Sequence, residues 1–388
     1  MSRIETLETF VLSLKPEEDS FAPGAKEEVL LVRLTDSDGR YGLGECMAAP
    51  RVNKAMIEMP TVHAWSQGMR LHLIGADPIE TIALYDRIYH GSFYHGRRGI
   101  LVQALSAVDI ALHDLAAKQI GKPVYKLLGG ARTDKITPYV TLYPGDIFDQ
   151  PAAAVAKSFE KRIKTAIDQG LRAMKVPLLF GPRLRDRELV PFIRDCRQMA
   201  GDDVHLAVDF GYRWQDWQDA AWLLKRIEAY DIYFAEAPLW HDNLHGYARL
   251  SAVSPIRIAG AECATSRWEV REWIEVGKVS VVQPSISHSG GFVDMMRIAD
   301  MCELYGVMLI PHSYATGITD TCNFHLQAAT LNVPFVEFRS PRMSHSRLRT
   351  HLVVPSEPEF VDGAAALPHK PGLGLELNEA LLKEATSH

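Results

Sequence analysis

Cysteine is scarce and scattered in this chain. Its five residues, Cys46, Cys196, Cys263, Cys302 and Cys322, never fall in a CxxC spacing, so neither a disulfide framework nor a zinc knuckle is suggested. Positive charge is in deficit: 42 lysines and arginines against 48 acids, a formal charge of −6, leave no basic footprint for a nucleic-acid surface. No apolar run of about 18 residues offers a membrane span, and the first turn of sequence, carrying Arg3, Glu5 and Glu8, lacks the apolar centre of a secretory signal. Solenoid-type repeats and low-complexity linkers are missing as well. The expectation is a soluble cytoplasmic protein in reducing surroundings, with small-molecule partners and neither nucleic acid nor membrane.

The chain is not short of core-forming residues: 47% are hydrophobic and 23% charged, as in ordinary globular proteins. Its 388 residues suit a barrel of roughly 250 residues carrying an extra module. Glu28 to Thr35 is aliphatic and β-branched, Asp36 to Gly39 is a turn, and Arg40 to Glu45 resumes as a strand, which predicts an antiparallel hairpin. Apolar residues then recur at helical spacing over 64–89 and 103–119, where Leu105, Val108, Leu112 and Leu115 share a stripe. Gly121 and Pro123 stop the second run, and Gly129 and Gly130 close the segment. A domain boundary near residue 130 follows.

Beyond it, short apolar strands alternate with amphipathic helices. Candidate strand ends fall at Tyr143, Lys175, Asp209, Glu236, Glu262, Ser285, His312 and Glu337, successive ends lying 23 to 34 residues apart. One strand, one helix and their loops occupy about that length, so eight such units predict a (β/α)8 TIM barrel of the α/β class. Three ends carry acids, each after an apolar strand. A single acid there could merely cap the next helix. Three on consecutive strands would converge at the barrel mouth, where their mutual repulsion calls for a cation. An all-oxygen set of three carboxylates suits a hard ion, Mg²⁺ or else Mn²⁺, with open positions for water and an oxygen-bearing substrate.

These features, together with Gly42 to Glu45, the helix from Ser106 to Gly130, Pro311 to Ser313 and the tail from Pro371 to Leu377, resemble the mandelate racemase branch of the enolase superfamily over essentially the whole chain. The resemblance implies a modified TIM barrel over 131–365 and an α+β N-terminal capping domain over 1–130, completed by residues 366–388. It implies one Mg²⁺ on Asp209, Glu236 and Glu262, and a reaction begun by removing the proton α to a substrate carboxylate. Lys175 would add positive charge beside that carboxylate. Glu337 would donate a hydrogen bond to it, which requires a protonated side chain with a raised pKa. His312, whose imidazole titrates near neutrality, is the general acid/base candidate. Family members are often multimers, which implies a homo-oligomer.

The departures matter equally. Where the family has a second lysine this chain has Pro177, which cannot take a proton, and where the histidine's aspartate partner is expected it has Ser285, whose hydroxyl could still orient the ring. Gly211, two residues after Asp209, opens space into which Tyr212 or Arg213 could reach. Tyr143 and Arg213 are candidate replacements for the missing base, although a binding or packing role is the commoner one. Phe21, with Pro23 and Gly24 in an early loop, is expected to close over the site. His95 could bind a sugar-acid tail or solvate a helix start. His288 could touch substrate or support the site. Trp240 to Asn243 is expected to shape the loop after Glu236. With a base on one face only, dehydration of an aldonate or aldarate to a 2-keto-3-deoxy acid, a hydro-lyase reaction, is favoured. A racemase, epimerase or cycloisomerase, or a barrel that binds metal and acid sugar without turnover, are the alternatives.

Overall fold

The structure is a computed structural model that describes residues 2–15, 27–143, 152–180, 184–340, 346–355, 358 and 360–386. It opens with three antiparallel strands, Ile4–Leu14, Glu27–Asp36 and Tyr41–Cys46, paired in chain order. The last two form the expected hairpin around the Asp36 to Gly39 turn. The first strand was not legible, because Glu5, Thr6 and Glu8 dilute its apolar signal and its ten-residue pairing with the second strand decides its state. The region read as helical over 64–89 is divided: helices Met69–Leu73 and Thr81–Gly91 are separated by a turn in which Gly75 takes a φ of +80°.

The helix Ile100–Gln119 lies across this sheet and is almost entirely buried. It is apolar and long enough to cross a bilayer by composition, yet its faces are consumed by the cap sheet on one side and the barrel on the other. Close approach explains Gly42 and Gly44. A Cβ on Gly44 would stand 1.9 Å from the Ala107 carbonyl oxygen. Gly44→Ala is therefore expected to cost about 3 kcal/mol, at the upper end of overpacking penalties; denaturant titration checks this, and a shift below the noise of the titration would contradict the packing described. Asp114 on the same helix accepts the Leu43 amide at 2.8 Å and the Leu373 amide at 2.7 Å, so the C-terminal tail packs back onto the first domain.

Eight parallel strands follow: Pro138–Thr141, Ala173–Pro177, His205–Asp209, Ile232–Glu236, Ile258–Gly260, Val281–Val282, Met308–Leu309 and Val336–Phe338. They pair in sequence from first to seventh, and the eighth returns to pair with the first. Across the remaining seam the Glu337 amide reaches the Pro311 carbonyl at 3.4 Å. This is the (β/α)8 fold with an α+β cap.

Side chains alternate along a strand, and that alternation positions the site. The barrel is plugged by Tyr139, Ala173, Ala207, Phe234, Ala259, Val281, Ile310 and Phe335. Two residues further along their strands stand Thr141, Lys175, Asp209, Glu236, Gln283, His312 and Glu337, one layer nearer the mouth. The fifth strand differs. Ala261 takes a φ of 77°, which breaks the alternation, sends Ala261 into the outer core and leaves Glu262 as the mouth residue.

Candidate active site

The floor of the mouth is a charge cluster. Lys175 is buried with its Nζ 2.8 Å from both carboxylate oxygens of Glu236 and 3.3 Å from Glu337 Oε1. Gln283 Nε2 adds a third hydrogen bond to Glu236 at 2.6 Å. Asp209 and Glu236 are register partners on adjacent strands, and the Gly211 amide donates to Asp209 Oδ1 at 2.9 Å. Glu262 accepts the Tyr212 hydroxyl at 2.5 Å. Burial pushes the carboxyls of Asp209 and Glu236 above their ordinary values, Lys175 pulls them down, and mutual repulsion with Glu262 and Glu337 keeps them high. The same carboxylates hold the Lys175 ammonium well above its usual value despite the opposing effect of burial.

One lysine does not neutralise four neighbouring acids. The donor set fits a hard divalent cation: three carboxylates on consecutive strand ends, crowded enough to resist ionisation together. In the described residues Glu236 is turned to Lys175 and Gln283, and Glu262 to Tyr212, so the three do not already form a closed chelate. The backbone beside them is strained. Tyr212, Ala237 and Ala261 take positive φ values of 62°, 45° and 77°, conformations that cost about 1–3 kcal/mol each in non-glycine residues and that collect at functional sites.

His312 faces this cluster from the seventh strand. Its Nε2 is 3.7 Å from Glu262 Oε2 and 3.9 Å from Glu337 Oε2. Its Nδ1 is buried with no hydrogen-bond partner among the described residues. Ser285 does not orient the ring as expected: its hydroxyl is 3.0 Å from that of Ser287. His288 lies close enough to feel His312. Burial and the neighbouring imidazole push it down to about 4, so it is neutral, and its Nε2 also lacks a partner.

The expectation of a raised pKa at Glu337 is corrected. Burial would raise it, but Lys175, His312, the Thr141 hydroxyl and the Ser313 amide at 2.7 Å together bring it below its ordinary value. Arg213 is also corrected as a base. Its Nε donates to Asp186 Oδ1 at 2.8 Å and its Nη2 to the Leu184 carbonyl, which turns the guanidinium aside from the acids. Tyr143 stands on the first-strand side of the mouth, its ring 5.3 Å from that of Tyr314. Burial and Glu337 push its phenol well above the ordinary value, which disfavours a phenolate base. His95 lies in the cap with Nε2 2.6 Å from the Ser66 hydroxyl. Phe21 lies outside the described residues. Thr141 and Gln283 were missed, although each is two residues before a candidate strand end and the alternation could have found them.

The loop after His312 is fixed from two sides. Buried Glu45 of the cap hairpin accepts the Thr316 and Thr319 amides at 3.0 and 2.8 Å, capping the helix Gly317–Ala329. Ser313 donates its hydroxyl to Asp320, whose carboxyl burial pushes up to about 7. An acid whose folded pKa is raised favours folding below its unfolded value, and that contribution is lost as pH climbs through the folded one. The advantage of Asp320→Asn over the parent is thus expected to grow from pH 4.5 to pH 8. Thermal unfolding across that window checks it; a constant difference would contradict the assignment.

Residues 158–381 match the enolase C-terminal domain-like family, and residues 5–129 match the mandelate racemase / muconate lactonizing enzyme N-terminal domain. A D-galactarolactone cycloisomerase of Agrobacterium fabrum is 30% identical over 360 residues, covering 92% of this chain and 90% of that protein. An arabinonate dehydratase of Saccharolobus solfataricus is 31% identical, with the same coverage of 92% and 90%. Among solved structures, the 3,6-anhydro-D-galactonate cycloisomerase of Zobellia galactanivorans superposes with a TM-score of 0.85 at 26% identity, covering 99% of each chain.

Proposed function

This chain belongs to the mandelate racemase/muconate lactonizing enzyme branch of the enolase superfamily, and from that premise we propose that it is a divalent-metal-dependent dehydratase of an acid sugar. The observation that carries the reading is the asymmetry of proton-transfer groups. His312 presents Nε2 to the mouth beside Glu262 and Glu337, whereas the residue that follows Lys175 on the same face of its strand is Pro177. Racemisation asks for a base on each face; elimination does not.

Asp209, Glu236 and Glu262 would hold Mg²⁺, whose charge would stabilise the negative charge that develops on the substrate carboxylate. Lys175 adds a fixed positive charge beside the same carboxylate. His312 removes the α-proton. The electron pair of the C–H bond is first drawn into the substrate carboxylate and then returns to form the C2–C3 double bond as the C3–O bond breaks, and the departing hydroxide takes a proton from imidazolium His312 and leaves as water. The enol then becomes a 2-keto-3-deoxy acid. Relatives named for dehydration of arabinonate, gluconate and galactonate, at 29–31% identity, support the same class here.

Incubation with a panel of acid sugars, with Mg²⁺ and with chelator, tests this. New 2-keto acid that appears only with metal is expected. Exchange of the α-proton for deuterium without keto acid would replace the reading by epimerisation, and cyclised product by cycloisomerisation. Silence across the panel would overturn turnover altogether.

A further inference from the structure

The layer above Glu337 carries an arginine that forms no ion pair with any described residue. Arg339 follows Glu337 by two residues, as Tyr143 follows Thr141 and Tyr314 follows His312, so three neighbouring strands deliver these side chains to one wall of the mouth. The guanidinium carbon of Arg339 is 4.3 Å from the centroid of the Tyr314 ring and 5.9 Å from that of Tyr143. Arg349 sits 3.8 Å from the Tyr314 ring centroid as well. The two arginines differ in one respect. Arg349 is paired, with Glu27 Oε1 at 3.4 Å and the Tyr314 carbonyl at 2.8 Å. Arg339 makes no ion pair with a described residue, and its Nη1 is buried without a hydrogen-bond partner.

A buried donor left unpaired is costly, because its lost hydration is not replaced, and a guanidinium costs more than an amide. Such a group is expected where a ligand completes it. The planar fork of arginine, held flat by an aromatic ring, matches a carboxylate in two parallel hydrogen bonds. Across the mouth, the third to fifth strands hold the acids that suit a cation, so the mouth has a carboxylate-binding pole at each side: the cation on one, Arg339 on the other.

Resting on the acid-sugar reading above, we propose that Arg339, on its Tyr314 platform, binds a terminal carboxylate at the far end of the substrate, and that the preferred substrates are therefore diacids (aldarates) over the matching aldonates. A neutral CH₂OH terminus would leave the guanidinium desolvated and unanswered.

Calorimetric titration of the Mg²⁺-loaded protein with matched aldarate and aldonate pairs of gluco, galacto and manno configuration tests this without requiring turnover. Parent protein is expected to bind at least one aldarate about 10- to 100-fold more tightly than its aldonate, as for a charged hydrogen bond gained or lost. Arg339→Met should abolish that ratio and Arg339→Lys restore part of it, with far-ultraviolet circular dichroism confirming that both variants fold. Equal affinities in the parent, an undiminished ratio in Arg339→Met, or no aldarate binding at all would each overturn the proposal. Tighter binding of a 6-phosphorylated aldonate than of any aldarate would reassign the subsite to phosphate. Loss of keto-acid formation with the affinity ratio intact would instead count against the dehydratase reading alone.

Discussion

Replacing His312 by asparagine is expected to lower turnover about 1,000-fold, within the range that general acid–base groups contribute. Asparagine keeps the polarity and approximate size of the side chain but cannot cycle a proton. The imidazole Nε2 stands beside Glu262 and Glu337, where a carboxylate substrate would present its α-carbon. Among the described residues its Nδ1 has no hydrogen-bond partner, and the Ser285 hydroxyl lies instead 3.0 Å from that of Ser287. Metal affinity should change little, because none of the three proposed ligands is altered. Steady-state rates and α-deuterium exchange on the variant check both halves of the expectation. A variant that turned over within a few-fold of the parent would remove His312 from the chemistry.

Lys175→Met is expected to cost about 3–5 kcal/mol of stability in metal-free protein, the usual penalty for removing one member of a buried ion pair. The lysine touches both oxygens of Glu236 and lies 3.3 Å from Glu337. Without it the two buried carboxylates keep, among the described residues, the hydrogen bonds from Gln283, Thr141 and the Ser313 amide, with His312 Nε2 3.9 Å from Glu337. Added Mg²⁺ should recover part of the loss by restoring positive charge to the cluster, so the gap in unfolding temperature between parent and variant should narrow in its presence. On the proposed mechanism turnover should fall by at least about 100-fold, because a fixed positive charge beside the carboxylate on which negative charge would develop is lost. An unfolding temperature equal to that of the parent in chelator would show that Lys175 does not bear the charge balance assigned to it.

The outline of this architecture was visible in the sequence for a simple reason. Parallel strands that end at a common mouth recur at intervals of one strand plus one helix, and acids after apolar strands mark Asp209, Glu236 and Glu262 without any tertiary information. The hairpin and the helix Ile100–Gln119 have equally local signals. Contacts across the barrel do not. That Tyr212 donates to Glu262, that Gln283 donates to Glu236, and that Arg213 prefers Asp186 to the mouth depend on rotamers and on left-handed backbone at Gly211 and Tyr212. The downward shift at Glu337 is legible only once Lys175, Thr141 and Ser313 are seen around it. Arg339 carries no sequence signal at all; its meaning comes from a half-buried guanidinium whose buried Nη1 has no partner among the described residues.

Titration of chelator-treated protein with Mg²⁺, in the parent and in Glu236→Gln, bears most directly on the claim that the three strand-end acids gather a divalent cation. One Mg²⁺ per chain and a raised unfolding temperature are expected for the parent, with both effects lost or weakened by at least about 100-fold in the variant. Stoichiometric binding that is indifferent to Glu236→Gln, or acid-sugar turnover undiminished in chelator, would contradict it.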